Sequence, residues 1–185
     1  MKLFITGGAG FIGSALLQAA LKAGHSLTVF DNFSRGRREY CPADARVEVV
    51  EGDIRDRRRV REAITSDRPD AVIHLAGLHF IPDCIKRPQE CLQINVDGTG
   101  NVLSAAAAVG VKRFVFASTA AVYAPTSDAC VEKSTPLDPA EVYGQSKILG
   151  ELLARGHHDR TRTAVTLLRL FNAIGPRETN PHILP

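Results

Sequence analysis

Thr6-Gly7-Gly8-Ala9-Gly10-Phe11-Ile12-Gly13 closes the first apolar run of the chain, Leu3 to Thr6, and opens onto a segment with helical character. Each glycine has a separate physical task in a strand-to-helix turn of this kind. Gly7 allows the tight turn, Gly10 lets the backbone approach a phosphate with no side chain in between, and Gly13 lets the helix pack closely on the strand. The N-terminus of that helix, at Phe11 and Ile12, offers unpaired N–H groups and a partial positive charge to an anion. A lone glycine triplet is weak evidence, and the residues around it decide what it means.

Asp31 stands at the end of the second apolar run, 18 residues after Gly13. A carboxylate in that place accepts from both hydroxyls of a ribose and repels a 2′-phosphate, which favours NAD over NADP. Arg35, Arg37 and Arg38 follow closely and keep NADP open, since a guanidinium there accommodates the extra phosphate. The plainer reading of Asp31 is a turn residue before Asn32.

Further apolar runs lie at Leu27 to Phe30, Val47 to Val50, Ala71 to Leu75, Phe114 to Ala117 and Ala164 to Leu168. They are near-continuously apolar and widely separated, which predicts parallel strands covered on both faces. Helices are expected at Phe11 to Ala23, Asp56 to Thr65, Pro88 to Val109 and Val142 to Gly156, with Gly24 as a left-handed cap on the first. The fold class is therefore α/β, a doubly wound parallel sheet. The expected division is a nucleotide-binding domain over residues 1–170 and the beginning of a second, smaller domain over 171–185, where Gly175, Pro176, Pro181 and Pro185 make the text loop-like.

Of 185 residues, 44% are hydrophobic and 23% charged, which excludes disorder, collagen and coiled coil for the whole chain. Net charge is +3, too small to call for nucleic acid as a partner. Arg55, Arg57, Arg58, Arg59 and Arg61 read as a solvated helix face. No apolar run has the length of a membrane span and no signal-peptide core is visible, so no membrane partner and a cytoplasmic location are expected. Cys41, Cys84, Cys91 and Cys130 are widely spaced and read as reduced thiols. The histidines give no metal pattern, His157 and His158 being expected at the surface, and no metal is expected.

Tyr143 and Lys147 are four residues apart in a helical segment, so both side chains project from one face a turn apart. A tyrosine with a pKa near 10 is about one part in a thousand ionised at pH 7, and roughly 4 kcal/mol of phenolate stabilisation makes it a base there. Lys147 and a cationic nicotinamide could supply it. Ser118 and Thr119 place hydroxyls at the carboxyl end of the fifth strand, where ligands of such sheets sit. Taken singly, each of these features also fits an exposed pair, a turn or a cap.

Together they resemble the extended short-chain dehydrogenase/reductase family, in its nucleotide-sugar epimerase and dehydratase branch. The resemblance spans essentially the whole chain. It is carried by Gly7 to Gly13, Asp31-Asn32, Gly52-Asp53-Ile54, His74-Leu75-Ala76-Gly77, Asn95-Val96-Asp97-Gly98-Thr99, Ser118-Thr119, Tyr143 with Lys147, and Arg169-Leu170-Phe171-Asn172. It implies a Rossmann fold binding NAD, with Asp53 and Ile54 bordering the adenine and Leu75, Ala76 and Gly77 lining phosphates and ribose. Asn95 would support the nicotinamide half, Ser118 would also bind the cofactor, Phe171 would flank the nicotinamide, and Thr119, Tyr143 and Lys147 would form the catalytic triad. Substrate contacts would come from Thr119, Tyr143, Asn172 and His182. The chain departs from the branch at His79, where lysine is common, at Leu170, where tyrosine is common, and at His182, where asparagine is common.

The activity so implied is epimerisation of a nucleotide-linked hexose by transient oxidation at C4. A 4,6-dehydratase is the alternative, but that branch places Asp-Glu after the threonine, where this chain has Ala120 and Ala121. A cofactor-binding module without turnover is the third reading. The resemblance also implies a homodimer built from the helices Pro88 to Val109 and Val142 to Gly156, with Ala105 to Ala108 permitting close approach.

Overall fold

The computed structural model describes residues 1–126 and 128–178. Six strands form one sheet, β1 (Lys2–Thr6), β2 (Ser26–Asp31), β3 (Val47–Glu51), β4 (Ala71–His74), β5 (Arg113–Thr119) and β6 (Ala164–Leu170). Their order is β3-β2-β1-β4-β5-β6 and every pairing is parallel. All six expected strands are present, with ends shifted by no more than two residues. The order reverses direction between β1 and β4, and in such sheets the crevice outside the carboxyl ends at that point receives ligands.

The helices are α1 (Phe11–Lys22), α2 (Arg57–Asp67), α3 (Ile81–Lys86), α4 (Pro88–Leu92), α5 (Gly98–Ala108) and α6 (Val142–Thr161). Alternation along each strand divides the core between two faces. Leu3, Ile5, Leu27 and Val29 pack with Leu17, Ala20 and Leu21 of α1. Phe4, Phe30, Val72, Phe114 and Phe116 pack on the other face with α2, α5 and Ala154 of α6. Gly24, at φ +81°, caps the end of α1 in the left-handed region as its position predicted.

The expected helix from Pro88 to Val109 is continuous but not uniform. Between α4 and α5 the segment Gln93–Asp97 is π-helical, with the Gly98 N–H reaching the Gln93 carbonyl five residues back. Helix α3 has no counterpart in the sequence reading, because six residues starting with Ile81-Pro82 carry too little periodicity to announce a helix.

Two expectations are corrected. His157 is buried, 2% exposed, with its ring centroid 6.1 Å from that of Phe114, because it lies on the inward face of α6. Its neighbour His158 points outward and contacts the Thr163 carbonyl. Of Ala105 to Ala108, Ala105 and Ala106 pack α5 into the core and are closed to a partner chain, whereas Ala107 and Ala108 are exposed. Cys84 and Cys91 are free thiols, as the sequence reading has them, and they are buried together beside Tyr143.

Among the described residues no helix is long and apolar enough to cross a membrane. Most of the arginine-rich stretch is engaged at the surface, with Arg55 on Asp53, Arg58 on Glu62 and Arg59 on the Glu51 carbonyl.

Candidate active site

The glycine turn sits at the switch point of the sheet. Gly7, at φ +71°, donates its N–H to the Phe30 carbonyl, and a Cβ added to it would lie 2.6 Å from the Ala76 nitrogen. A Cβ on Gly13 would lie 2.6 Å from the Gly8 Cα, so α1 and the turn touch through backbone alone. At Gly10 the only near neighbour of such a Cβ among the described residues is the Gly7 carbonyl at 3.3 Å, which leaves the turn's outer side open to them. Gly10 caps α1 with no side-chain hydrogen bond, so the N-terminal N–H groups around Phe11 and Ile12 remain for an anion. A backbone cradle that side chains would fill fits a dinucleotide pyrophosphate.

Asp31, at the end of β2, accepts from the Ala9 N–H at 3.0 Å and from the Phe33 N–H at 2.9 Å. It therefore ties the glycine turn to the loop after β2. Burial raises its carboxyl above the usual value, against the pull of those donors. Asn32 donates to Asp53, which Arg55 grips twice and holds at a pKa of about 2. Asp53 and Asn32 thus reach the rim of the crevice as a pair. Ile54 is placed differently, since its side chain belongs to the core and packs on Gly98. Its carbonyl accepts from the Asn101 side chain at 3.0 Å.

After β4 the chain passes through Leu75, Ala76 and Gly77 directly against the glycine turn. A buried chain of hydrogen bonds fixes this junction. The Thr6 hydroxyl accepts from the Ala76 N–H at 3.3 Å and lies 2.6 Å from Nδ1 of His74. On the far side, Nε2 of His74 lies 3.0 Å from the Thr99 hydroxyl, which gives its own proton to the Asn95 carbonyl at 2.6 Å. One hydroxyl carries one proton, so Thr99 accepts and Nε2 carries the hydrogen. Burial lowers the His74 pKa to about 3, consistent with that neutral ring.

Asn95 is 1% exposed and its amide is spent within the protein. It accepts from the Leu78 N–H at 2.8 Å and donates to the Leu78 carbonyl and the Ser146 hydroxyl, each at 2.9 Å. Its support of a ligand is therefore indirect, through the loop that carries Gly77 and the helix that carries Tyr143.

Tyr143 and Lys147 lie in the first turns of α6, and Thr119 ends β5 beside them. The Thr119 hydroxyl pulls the pKa of the Tyr143 phenol down by hydrogen-bonding attraction, against the larger push of burial. Gly144 makes the approach possible, because a Cβ there would meet the Ala121 carbonyl and lie 2.7 Å from Pro139. Lys147 is 6% exposed, with Nζ 4.5 Å from the centre of the Phe116 ring and facing Gly77. Burial lowers its pKa to about 8 and pushes that of Tyr143 up to about 12.

Ser118 departs from expectation. Side chains alternate along a strand, so its hydroxyl points away from that of Thr119 and donates to Glu151 at 2.6 Å. Glu151, one turn after Lys147, also receives Arg169 in a two-pronged pair at 2.9 and 2.8 Å. Arg169 in turn donates to the Tyr123 hydroxyl and stacks on its ring. This buried clamp joins β5, α6 and β6 immediately behind the triad. Glu151, Gly144 and Tyr123 were not singled out from the sequence, and only the i, i+4 spacing of Lys147 and Glu151 offered a signal.

Phe171 and Asn172 emerge exposed just past β6, with Phe171 63% exposed at the mouth of the crevice side of the sheet. His182 lies outside the described residues.

Residues 3–185 match the model of the NAD dependent epimerase/dehydratase family, and the chain belongs to that family. It is 35% identical, over its whole length, to 57% of the UDP-glucose 4-epimerase of Corynebacterium glutamicum. It is 36% identical, over 94% of its length, to 52% of that of Rhizobium leguminosarum bv. trifolii. Among solved structures, the Thermus thermophilus UDP-glucose 4-epimerase in complex with NAD superposes with a TM-score of 0.91 at 32% identity, covering 98% of this chain and 58% of that one. The Bordetella bronchiseptica enzyme WbmG, solved with NAD and UDP, gives 0.84 at 37%, covering 96% and 55%. The chain spans a little over half the length of these relatives.

Proposed function

We propose that the chain carries the NAD-binding and catalytic half of a nucleotide-sugar epimerase that acts by transient oxidation at C4. The observation that carries this reading is the meeting of Thr119, Tyr143 and Lys147 beside Gly77 and the glycine cradle. Two names among the relatives support it, UDP-glucose 4-epimerase for the curated proteins and a UDP complex for one solved structure.

The dinucleotide supplies a reversible acceptor for the C4 hydrogen and its electron pair. Tyr143 takes the proton of the C4 hydroxyl, and Thr119 orients both oxygens through its hydrogen bond. Lys147 places a positive charge one turn from the phenol. With the phenol at about 12, ionising it at pH 7 costs about 7 kcal/mol, so it becomes a base only when a second positive charge arrives. The 4-keto sugar turns in the site, the hydrogen returns to its other face, and Tyr143 gives the proton back. No net oxidation results. Water exclusion around the triad, of which Lys147 is buried and Thr119 and Tyr143 half-buried, keeps the keto sugar and the cofactor together.

Ala120 and Ala121 offer no acid or base for removing water across C5 and C6, which disfavours the dehydratase reading. A homodimer is part of the proposal. Leu149, Leu152 and Leu153 of α6 and Leu92 of α4 are exposed on the helices expected to pair, and light scattering giving a strictly monomeric mass would count against it. A cytoplasmic site of action goes with an NAD-dependent reading.

The test is NMR of a panel of UDP- and dTDP-hexoses incubated with NAD and the protein in its longest available form. Appearance of a 4-epimer, abolished in Tyr143→Phe with NAD binding retained, is the expected result. A dehydrated sugar, or full activity in that variant, would overturn the assignment.

A further inference from the structure

The three arginines after Asp31 are each engaged inside the protein. Arg35 pairs with Asp83 of α3, and the Arg37 guanidinium lies 6.0 Å from the centre of the Tyr40 ring. Arg38 stacks 4.4 Å over the Phe33 ring and places Nη2 2.7 Å from Glu51. Glu51 ends β3 and stands directly opposite Asp31 in the parallel register. Neighbouring strands are about 5 Å apart, so two carboxylates flank the place where the ribose of a dinucleotide would meet Asp31. An open cavity of about 540 Å³ lies on the Arg38–Glu51 side of this corner, lined by Phe33, Gly36, Arg37, Arg38, Glu39 and Glu51.

We infer that Glu51 sets the preference for NAD over NADP, by keeping the Arg38 guanidinium paired and by adding a second carboxylate beside Asp31. The inference rests on the NAD-binding reading above. A 2′-phosphate carries up to two negative charges into this corner. It meets Asp31 and Glu51 and finds Arg38 already neutralised on Phe33. Without the Glu51 charge, Arg38 keeps its stacking surface and gains a free guanidinium in reach of the same corner. The Arg38–Glu51 pair is half exposed, so its own strength is modest, and the effect is a change of several-fold rather than a reversal.

The experiment is calorimetric titration of the wild-type chain, Glu51→Gln, and Glu51→Gln with Arg38→Gln, each with NAD and with NADP at low salt. Glu51→Gln is expected to tighten NADP relative to NAD by about fivefold, with the NAD constant itself within about twofold. The double variant is expected to return the ratio to near its starting value. NAD binding with an unchanged ratio in Glu51→Gln would overturn the inference alone, as would a gain that survives removal of Arg38. No binding of either dinucleotide to the wild-type chain would overturn it together with the cofactor reading.

Discussion

The Thr6 hydroxyl and Nδ1 of His74 lie 2.6 Å apart across the β1–β4 pairing, in the middle of a proton-ordered chain from the Ala76 N–H to the Asn95 carbonyl. Every member donates and accepts in one sense only. The glycine turn, the loop at Gly77 and the π-helical segment are therefore held by a single neutral ring.

Protonating that ring breaks the chain, because Nδ1 can no longer accept. Its pKa is about 3 in the folded state against 6.5 ordinarily, so the unfolded chain binds the extra proton between those values. Stability is complete above pH 6.5 and falls as pH drops towards 3, by at most about 1.4 kcal/mol per pH unit. Urea unfolding from pH 7 to 5 should show a steeper loss for wild type than for His74→Gln, and equal slopes would refute it.

Lys147 is stabilised less in the fold than in water. With a folded value of about 8 against 10.5, the folded chain releases its proton first, so stability rises as pH climbs from 8 to 10.5. Lys147→Met should remove that rise and add about 3 kcal/mol at pH 7 while abolishing turnover. Denaturant curves at pH 7 and 10 measure both, and a Met variant less stable than wild type would contradict the account.

Glu151 and Arg169 form a buried two-pronged pair, and removing one partner strands the other's charge. Glu151→Gln should cost about 3 kcal/mol, whereas Glu151→Leu with Arg169→Met should recover much of the loss. A double-mutant cycle by thermal unfolding reads the coupling, and additive effects would show that the pair is not a unit.

Gly13 is bounded by backbone, which cannot yield as a flexible side chain can. Gly13→Ala should destabilise by about 2 kcal/mol and weaken NAD binding more than tenfold. An alanine variant with wild-type melting temperature and affinity would remove the close-packing argument for this turn.

Much of this architecture was legible because one physical signal dominates parallel sheets. The buried strands around Phe4, Val29, Val72 and Phe116 are apolar on both faces, and the glycine turn is punctuation that few other structures require. Thr119, Tyr143 and Lys147 were legible through spacing along single elements. What spacing does not reveal is the direction of a side chain once neighbouring elements compete for it. Ser118 looked like a ligand contact and turned to Glu151, Asn95 looked like a cofactor contact and became a clamp, and Ile54 went to the core. His157 failed for the same reason, since its side of α6 depends on where Phe114 sits 43 residues earlier. Cys84 and Cys91 meet only because α3 and α4 fold back on each other.

The π-helical stretch at Gln93–Asp97 carries a lesson about tolerance to length. A π turn holds one residue more than an α turn, so Asn95 reaches Leu78 and Ser146 through a bulge that ordinary winding would close. Dropping one residue here would leave a better helix and a worse protein. An α turn with one residue fewer still completes the turn, so Gly98 to Ala108 would keep its face towards α2 while the buried amide would swing off its partners. The segment is therefore fixed in its number of residues as well as in the identity of Asn95, since the bulge that aims the amide exists only while the extra residue is there.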